Sequence, residues 1–159
     1  MISVLRAVKI PKERIPVLIG KDGSVKNQIE ELTGARISID EDIEIEGEVI
    51  AVLNAENVVK AVGRGFSPEK SLYLLDEDYT LEIIQLPKNE KTLNRVRSRI
   101  IGAKGKARKK IETMTKTFIS VYGRTVSIIG RYDDASKARG AIEKLISGYS
   151  HKTVYKSLG

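Results

Sequence analysis

The chain has 159 residues, 41% of them hydrophobic, with no cysteine, a single histidine and a formal net charge of +7. The missing cysteines exclude disulfides and thiolate chemistry, and His151 alone supplies neither a histidine-based triad nor a structural zinc site. No apolar run reaches membrane-spanning length and the start of the chain shows no signal-peptide pattern, so a soluble, cytoplasmic protein with no membrane partner is expected.

The charge is unevenly spread. Residues 1–80 carry ten basic against fifteen acidic side chains, and residues 81–159 carry eighteen against six. A basic half beside an acidic half suggests one surface for a polyanion and another for something else.

In chain order, Val4–Ile10 reads as a strand closed by Pro11, and 11–19 suits a short helix with Pro16 in its first turn or starting a second one. Gly20-Lys21-Asp22-Gly23 follows. Ser24 is expected to cap a helix over Val25–Leu32, with Val25, Ile29 and Leu32 inward and Gly34 as its stop. Ala35–Ile39 reads as a strand, 40–48 as an acidic connection with six acids in nine residues, and Val49–Leu53 as a further strand. A helix over Ala55–Arg64 completes the unit. Ser67, Pro68 and Glu69 start a short connecting helix whose Leu72, Leu74 and Leu75 require burial.

The order then recurs. Leu81–Leu86 is a strand closed by Pro87, Thr92–Ile101 a helix, Gly102-Ala103-Lys104-Gly105 a second loop and Lys106–Met114 the helix beyond it. Thr117–Val121 and Thr125–Ile129 form a hairpin, and Tyr132–Ile146 a closing helix. Pro11 and Pro87 lie 76 positions apart, whereas the glycine loops and the pairs Ile29/Ile111, Glu30/Glu112, Thr33/Thr115 and Ile37/Ile119 lie 82 apart. Pairing Val52 with Ile128 returns the spacing to 76. The sequence thus reads as a duplication with six extra residues before the second loop and six extra in the first hairpin. The expected division is a first domain over 1–66, a connector over 67–80, a second domain over 81–150 and a tail over 151–159, in which His151 has no assigned role.

Each glycine loop precedes a helix, so free N–H groups and a positive dipole end meet whatever sits there. Lysines around the second loop make that visitor an anion, with phosphate the first choice. Glycines admit a close backbone, and Ile19, Val25 and Ile37, or Ile101, Ile111 and Ile119, offer an apolar floor to bases.

The order strand, helix, Gly-x-x-Gly, helix, strand, strand, helix resembles the type I KH (K-homology) domain, giving an α+β fold of two tandem KH domains joined by a short structured helical connector. The Gly65–Asp76 connector and a tail like Lys152–Tyr155 extend the resemblance over nearly the whole chain, to archaeal members of the partner of Nob-one, or Dim-two, family of ribosome-assembly factors. That resemblance implies binding to single-stranded RNA at the 3′ end of small-subunit rRNA, beside the cleavage site of a maturation endonuclease. It also implies contact with translation initiation factor two. In the family's eukaryotic branch the first loop is degenerate, whereas here Gly20 and Gly23 are both present.

Residues 91–124 contain eleven basic side chains and one acid, Glu112, so the second loop is the stronger RNA site. Its candidate contacts are Arg95, Arg99, Ile101, Gly102, Ala103 and Lys104, continuing through Gly105, Lys106, Arg108, Lys109 and Ile119. The first loop has the spacing but less charge, with candidates Ile19, Gly20, Lys21, Asp22, Gly23 and Ser24, flanked by Lys26, Arg36 and Ile37. No catalytic residue, metal ligand or cofactor is expected: a phosphate-binding Gly-x-x-x-x-Gly-Lys-Ser/Thr loop is absent from both copies, no carboxylate recurs at a position suited to metal-assisted hydrolysis, and the acidic stretch lacks the ligand spacing of a calcium loop. Two alternatives stand beside the assembly factor: an RNA-binding subunit of an RNA-degrading assembly, and a nucleotide-binding enzyme.

Overall fold

In the computed structural model, which describes residues 2–159, one order of elements runs twice. The first unit, ending at Glu77, holds β1 (Ser3–Val8), α1 (Ile15–Ile19), α2 (Ser24–Thr33), β2 (Arg36–Ile39), β3 (Ile43–Glu48), α3 (Val49–Gly63) and α4 (Pro68–Ser71). The second, from Asp78, holds β4 (Tyr79–Gln85), α5 (Glu90–Ile101), α6 (Lys106–Thr115), β5 (Phe118–Tyr122), β6 (Thr125–Arg131), α7 (Tyr132–Ile146) and α8 (His151–Leu158). Each sheet is antiparallel with its last strand in the middle, in the orders β1-β3-β2 and β4-β6-β5. Leu18, Ile29, Ile43, Ile45 and Val52 anchor the first core; Ile100, Ile111, Ile128, Ile142 and Leu145 anchor the second. This is the α+β architecture the sequence suggests.

Several expected elements move. The acidic stretch is not a mere connection: Ile43–Glu48 is the central strand of its sheet. Its Ile43 and Ile45 are buried, while Glu44, Glu46 and Glu48 alternate outward, the period of two that a half-buried strand requires. Val49–Leu53 is correspondingly not a strand but the opening of α3, burying Val52 and leaving Val49, Ile50 and Leu53 exposed. Its β-branched composition favours strand, and tertiary placement overrides that preference. Leu32, expected inward, is 56% exposed. Ser24 is the first residue of α2 rather than its cap, a place taken by Gly23 in a left-handed conformation. In the second unit α5 begins at Glu90, with Asn89 Oδ1 accepting from the Thr92 N–H at 3.1 Å.

The register of the duplication changes too. Ile37 faces Ile45 and Ile119 faces Ile128, so the spacing between copies passes only from 82 to 83 across the hairpin. It holds at 83 through α3 and α7, each of 15 residues. The six extra residues expected in the first hairpin do not exist; the turns differ by one residue at most. The insertion before the second loop is real, since α1 has five residues and α5 has twelve. Equivalent positions carry an ion pair of opposite sense: Arg6 on β1 meets Glu56 on α3 at 3.2 Å, and Glu82 on β4 meets Arg139 on α7 at 3.2 Å.

The connecting segment starts as expected, with Ser67 Oγ accepting from the Lys70 N–H. Leu74 is buried, and Leu72 and Leu75 pack on the first core, so the segment folds with the first unit. The tail, to which the sequence assigns no element, is structured. It is the helix α8, capped by Ser150, with Val154 fully buried and Tyr155 and Leu158 packed on the second core.

Candidate nucleic-acid interface

The two glycine loops have one backbone conformation. Gly20 sits at φ 74°, ψ 178° and Gly102 at φ 75°, ψ 175°, a region only glycine occupies readily. A Cβ on Gly20 would stand 2.8 Å from the Val25 nitrogen, and one on Gly102 2.8 Å from the Ala107 nitrogen, so both positions also exclude a side chain by space. The third loop residue is left-handed in each case, Asp22 at φ 57°, ψ 29° and Lys104 at φ 57°, ψ 27°. Gly23 and Gly105 follow at φ 78° and 74°, and their N–H groups close on the carbonyls of Gly20 and Gly102. A Cβ on Gly105 would meet nothing within 4 Å, so that glycine answers to the backbone turn and leaves its outer side open.

What the loops present is the start of a helix. Neither α2 nor α6 has a side-chain cap, in contrast to the capped α5 and α8, so their first-turn N–H groups carry the positive end of the helix dipole outward. Lys21, Asp22 and Ser24 are exposed at the first loop; Ala103, Lys104, Lys106 and Lys109 are exposed at the second. Lys104, Lys106 and Lys109 have no ion-pair partner among the described residues, so the charge at the second loop is uncompensated.

Behind each loop, one carboxylate ties the helix to the edge strand. Glu30 Oε2 accepts from the Ile37 N–H at 2.8 Å and Oε1 meets Lys26 Nζ at 3.2 Å. Glu112 Oε2 accepts from the Ile119 N–H at 2.7 Å and Oε1 meets the Arg108 guanidinium at 2.8 Å. That guanidinium also reaches the Ile119 carbonyl at 3.4 Å, on the open edge of the sheet. β2 and β5 are edge strands, so each clamp satisfies backbone groups that face away from the sheet. The role of Glu30 and Glu112 is not evident from composition; their recurrence 82 positions apart together with Ile37 and Ile119 is the signal for it.

A second repeated device is invisible in the alignment of the copies. Arg14 donates from Nε to the Val62 carbonyl at 2.8 Å and from a terminal nitrogen to the Phe66 carbonyl at 2.8 Å. Arg99 makes the equivalent pair with the carbonyls of Leu145 and Tyr149. The two arginines lie at different distances from their loops, yet each staples the segment before the loop to the end of the closing helix.

The structure therefore sorts the candidate residues. Gly20–Ser24 and Gly102–Lys106 come together as the loops, with Ile19 and Ile101 half-buried at the helix ends that feed them. Lys26 and Arg108 lie on the loop helices, paired with Glu30 and Glu112, and Arg108 also reaches the edge strand. Ile37 and Ile119 are core residues, 3% and 4% exposed, so their side chains offer no open floor. Arg99 is spent on carbonyls, while Arg95 is exposed on the same helix. Arg36 stands opposite Glu46 on the sheet face away from the helices, not beside the loop. Among the described residues no group of three or more acidic, histidine or cysteine side chains gathers as a metal site, and no helix is long and apolar enough to cross a membrane.

Two glycine loops of one geometry in two β-α-α-β-β-α units define a tandem KH protein. The family model for the eukaryotic-type KH domain, type I, of the PNO1 second domain matches residues 80–159, and the general KH domain model matches residues 5–61. A KH domain-containing protein of Methanocaldococcus jannaschii is 40% identical over 97% of this chain and 72% of its own length. The pre-rRNA-processing protein pno1 of Aspergillus fumigatus is 29% identical over 85% of this chain, which spans about half (53%) of that protein. Among solved structures, Dim2p of Pyrococcus horikoshii superposes with a TM-score of 0.91 at 46% identity, covering 98% of both chains. The same fold in the a/eIF2alpha-aDim2p-rRNA complex of that organism gives 0.92 over 98% of this chain and 92% of that one. The chain belongs to the archaeal Dim2/PNO1 family of tandem KH proteins.

Proposed function

We propose that this protein is a non-catalytic, single-stranded RNA-binding factor of small-ribosomal-subunit assembly that holds the 3′ end of 16S rRNA through both KH clefts. The observation that carries this reading is the shared loop conformation. Two uncapped helix starts, each behind a glycine that admits no side chain, can each receive a phosphate backbone, the way KH loops clamp nucleotides. The rRNA-bound Pyrococcus relative, 46% identical, supports RNA as that backbone. The second cleft supplies most of the affinity because its lysines are unpaired, and the first adds length and preference.

The carboxylates support the non-catalytic reading. The one acid that recurs in the two copies, Glu30 or Glu112, is committed to a backbone N–H and a cation, so the carboxylate the two copies share is not free to act as a base. Translation initiation factor two is a partner on the strength of the a/eIF2alpha in the Pyrococcus complex, and a maturation endonuclease acting beside the bound RNA follows from the assembly role, as does a cytoplasmic setting.

Titration of a single-stranded oligoribonucleotide carrying the small-subunit 3′-end sequence tests this, with a scrambled strand, the same sequence as DNA and a duplex as comparators. Preferred binding of the 3′-end strand, without nucleotide hydrolysis, is expected. Equal binding of the scrambled strand would count against the assembly role, and hydrolysis that disappears in Gly102→Asp would overturn the non-catalytic reading.

A further inference from the structure

We propose that α8 is a brace that sets the second loop for RNA, with His151 as its positioning residue; the proposal rests on the reading that this loop binds RNA. The last intrahelical bond of α5 runs from the Gly102 N–H to the Ser98 carbonyl, which leaves the Arg99 carbonyl as one of the orphan acceptors at the helix end. His151 Nε2 lies 2.7 Å from that carbonyl and donates to it. The guanidinium of the same Arg99 reaches the carbonyls of Leu145 and Tyr149, so the turn before the loop is fastened to the end of α7 and the start of α8 together.

The other side of the loop is held by the same helix. Lys110 of α6 lies over the ring of Tyr155, 4.4 Å from its centroid, a cation–π contact between the helix after the loop and the middle of α8. Val154, between His151 and Tyr155, is fully buried and fixes α8 to the core. One eight-residue helix therefore grips both helices whose ends make Gly102–Gly105. The first copy shares the arginine staple, but after Phe66 the chain turns into the Ser67-capped α4, and no histidine exists there. The brace thus accompanies the more basic loop. A loop whose supports are fixed gives up less conformational freedom on binding, and affinity rises without a new contact to the ligand.

The full chain and the variants His151→Ala, His151→Gln and Tyr155→Leu test the brace. Each is titrated over a series of salt concentrations with the 3′-end oligoribonucleotide, and amide exchange at Gly102–Gly105 is followed without RNA. His151→Ala is expected to weaken binding about three- to ten-fold with an unchanged salt slope, because no phosphate contact is lost. His151→Gln, which retains a donor, recovers most of the affinity, and Tyr155→Leu produces a loss of the same kind. In both weakened variants exchange at the loop accelerates. Wild-type affinity in His151→Ala would overturn the brace. So would a salt slope shallower by about 0.7, the sign of a direct phosphate contact by His151 itself. If the wild-type chain binds none of the RNA, the parent reading fails, and the exchange data still decide the brace: unaltered exchange at the loop refutes it.

Discussion

Exchanging the third residue between the loops isolates charge from shape. Asp22 and Lys104 have the same backbone conformation to within 2° in each angle, so Lys104→Asp places in the second loop a residue the first already carries there. The left-handed region tolerates aspartate at least as well as lysine, and no fold cost is expected. Removing one cation from a single-strand contact lowers the salt slope by about 0.7, worth about five-fold in affinity at about 0.1 M salt relative to 1 M. A new carboxylate about 5 Å from a phosphate in a water-like dielectric adds about 0.8 kcal/mol before screening, or roughly four-fold. Lys104→Asp should therefore bind the 3′-end oligoribonucleotide about ten- to twenty-fold more weakly, with the shallower slope, and Asp22→Lys should gain by about three-fold or more. Fluorescence anisotropy at several salt concentrations reads both quantities, and the double exchange should return much of the loss. Lys104→Asp within two-fold of wild type and with an unaltered slope would refute the placement of a phosphate at the second loop.

Gly102→Ala puts a residue with a side chain where φ is 75° and ψ 175° and drives its Cβ against Ala107; it should destabilise the second unit by about 2 kcal/mol or more in chemical denaturation, whereas Gly105→Ala, with open space around it, should cost about 1 kcal/mol. Glu112→Ala leaves the Ile119 N–H without its acceptor and the Arg108 guanidinium without its carboxylate and should cost about 1–2 kcal/mol, with Glu112→Gln milder because its amide oxygen still accepts; equal stability of all three proteins would remove the clamp from the account. Burial holds the Tyr155 hydroxyl above its ordinary value of 10.0, so the folded state favours the protonated phenol. The stability it contributes is complete below that value and declines as the pH rises from there through the folded value, so urea midpoints should fall more steeply with alkaline pH in the wild type than in Tyr155→Phe.

The loops were the most legible part of the chain because Gly-x-x-Gly before an amphipathic helix leaves few conformations open, and the duplication shows the same solution twice. β3 was hidden for a physical reason. Its glutamates alternate with Ile43 and Ile45, and net charge obscures a period of two that only sheet pairing makes meaningful. With that strand unrecognised, the β-branched Val49–Leu53 reads as strand, and the sequence suggests an indel that the structure does not contain. α8 lay beyond reach of the sequence because His151 acts on a backbone carbonyl 52 residues away, which no local pattern records. Arg99 shows the same limit: its place in a basic run points to RNA, while its hydrogen bonds serve the closing helix. The basic character of the second half was sound as a field, but not as a guide to which cation is free.

Crosslinking of the intact protein to small-subunit precursor RNA, with both the nucleotides and the peptides mapped, tests the placement of the rRNA 3′ end on both loops. Crosslinks are expected from peptides containing Gly20–Gly23 and Gly102–Gly105 to a single-stranded segment at the 3′ end of the small-subunit rRNA. Crosslinks that avoid both loops, or that scatter over the precursor without a 3′-end cluster, would contradict it.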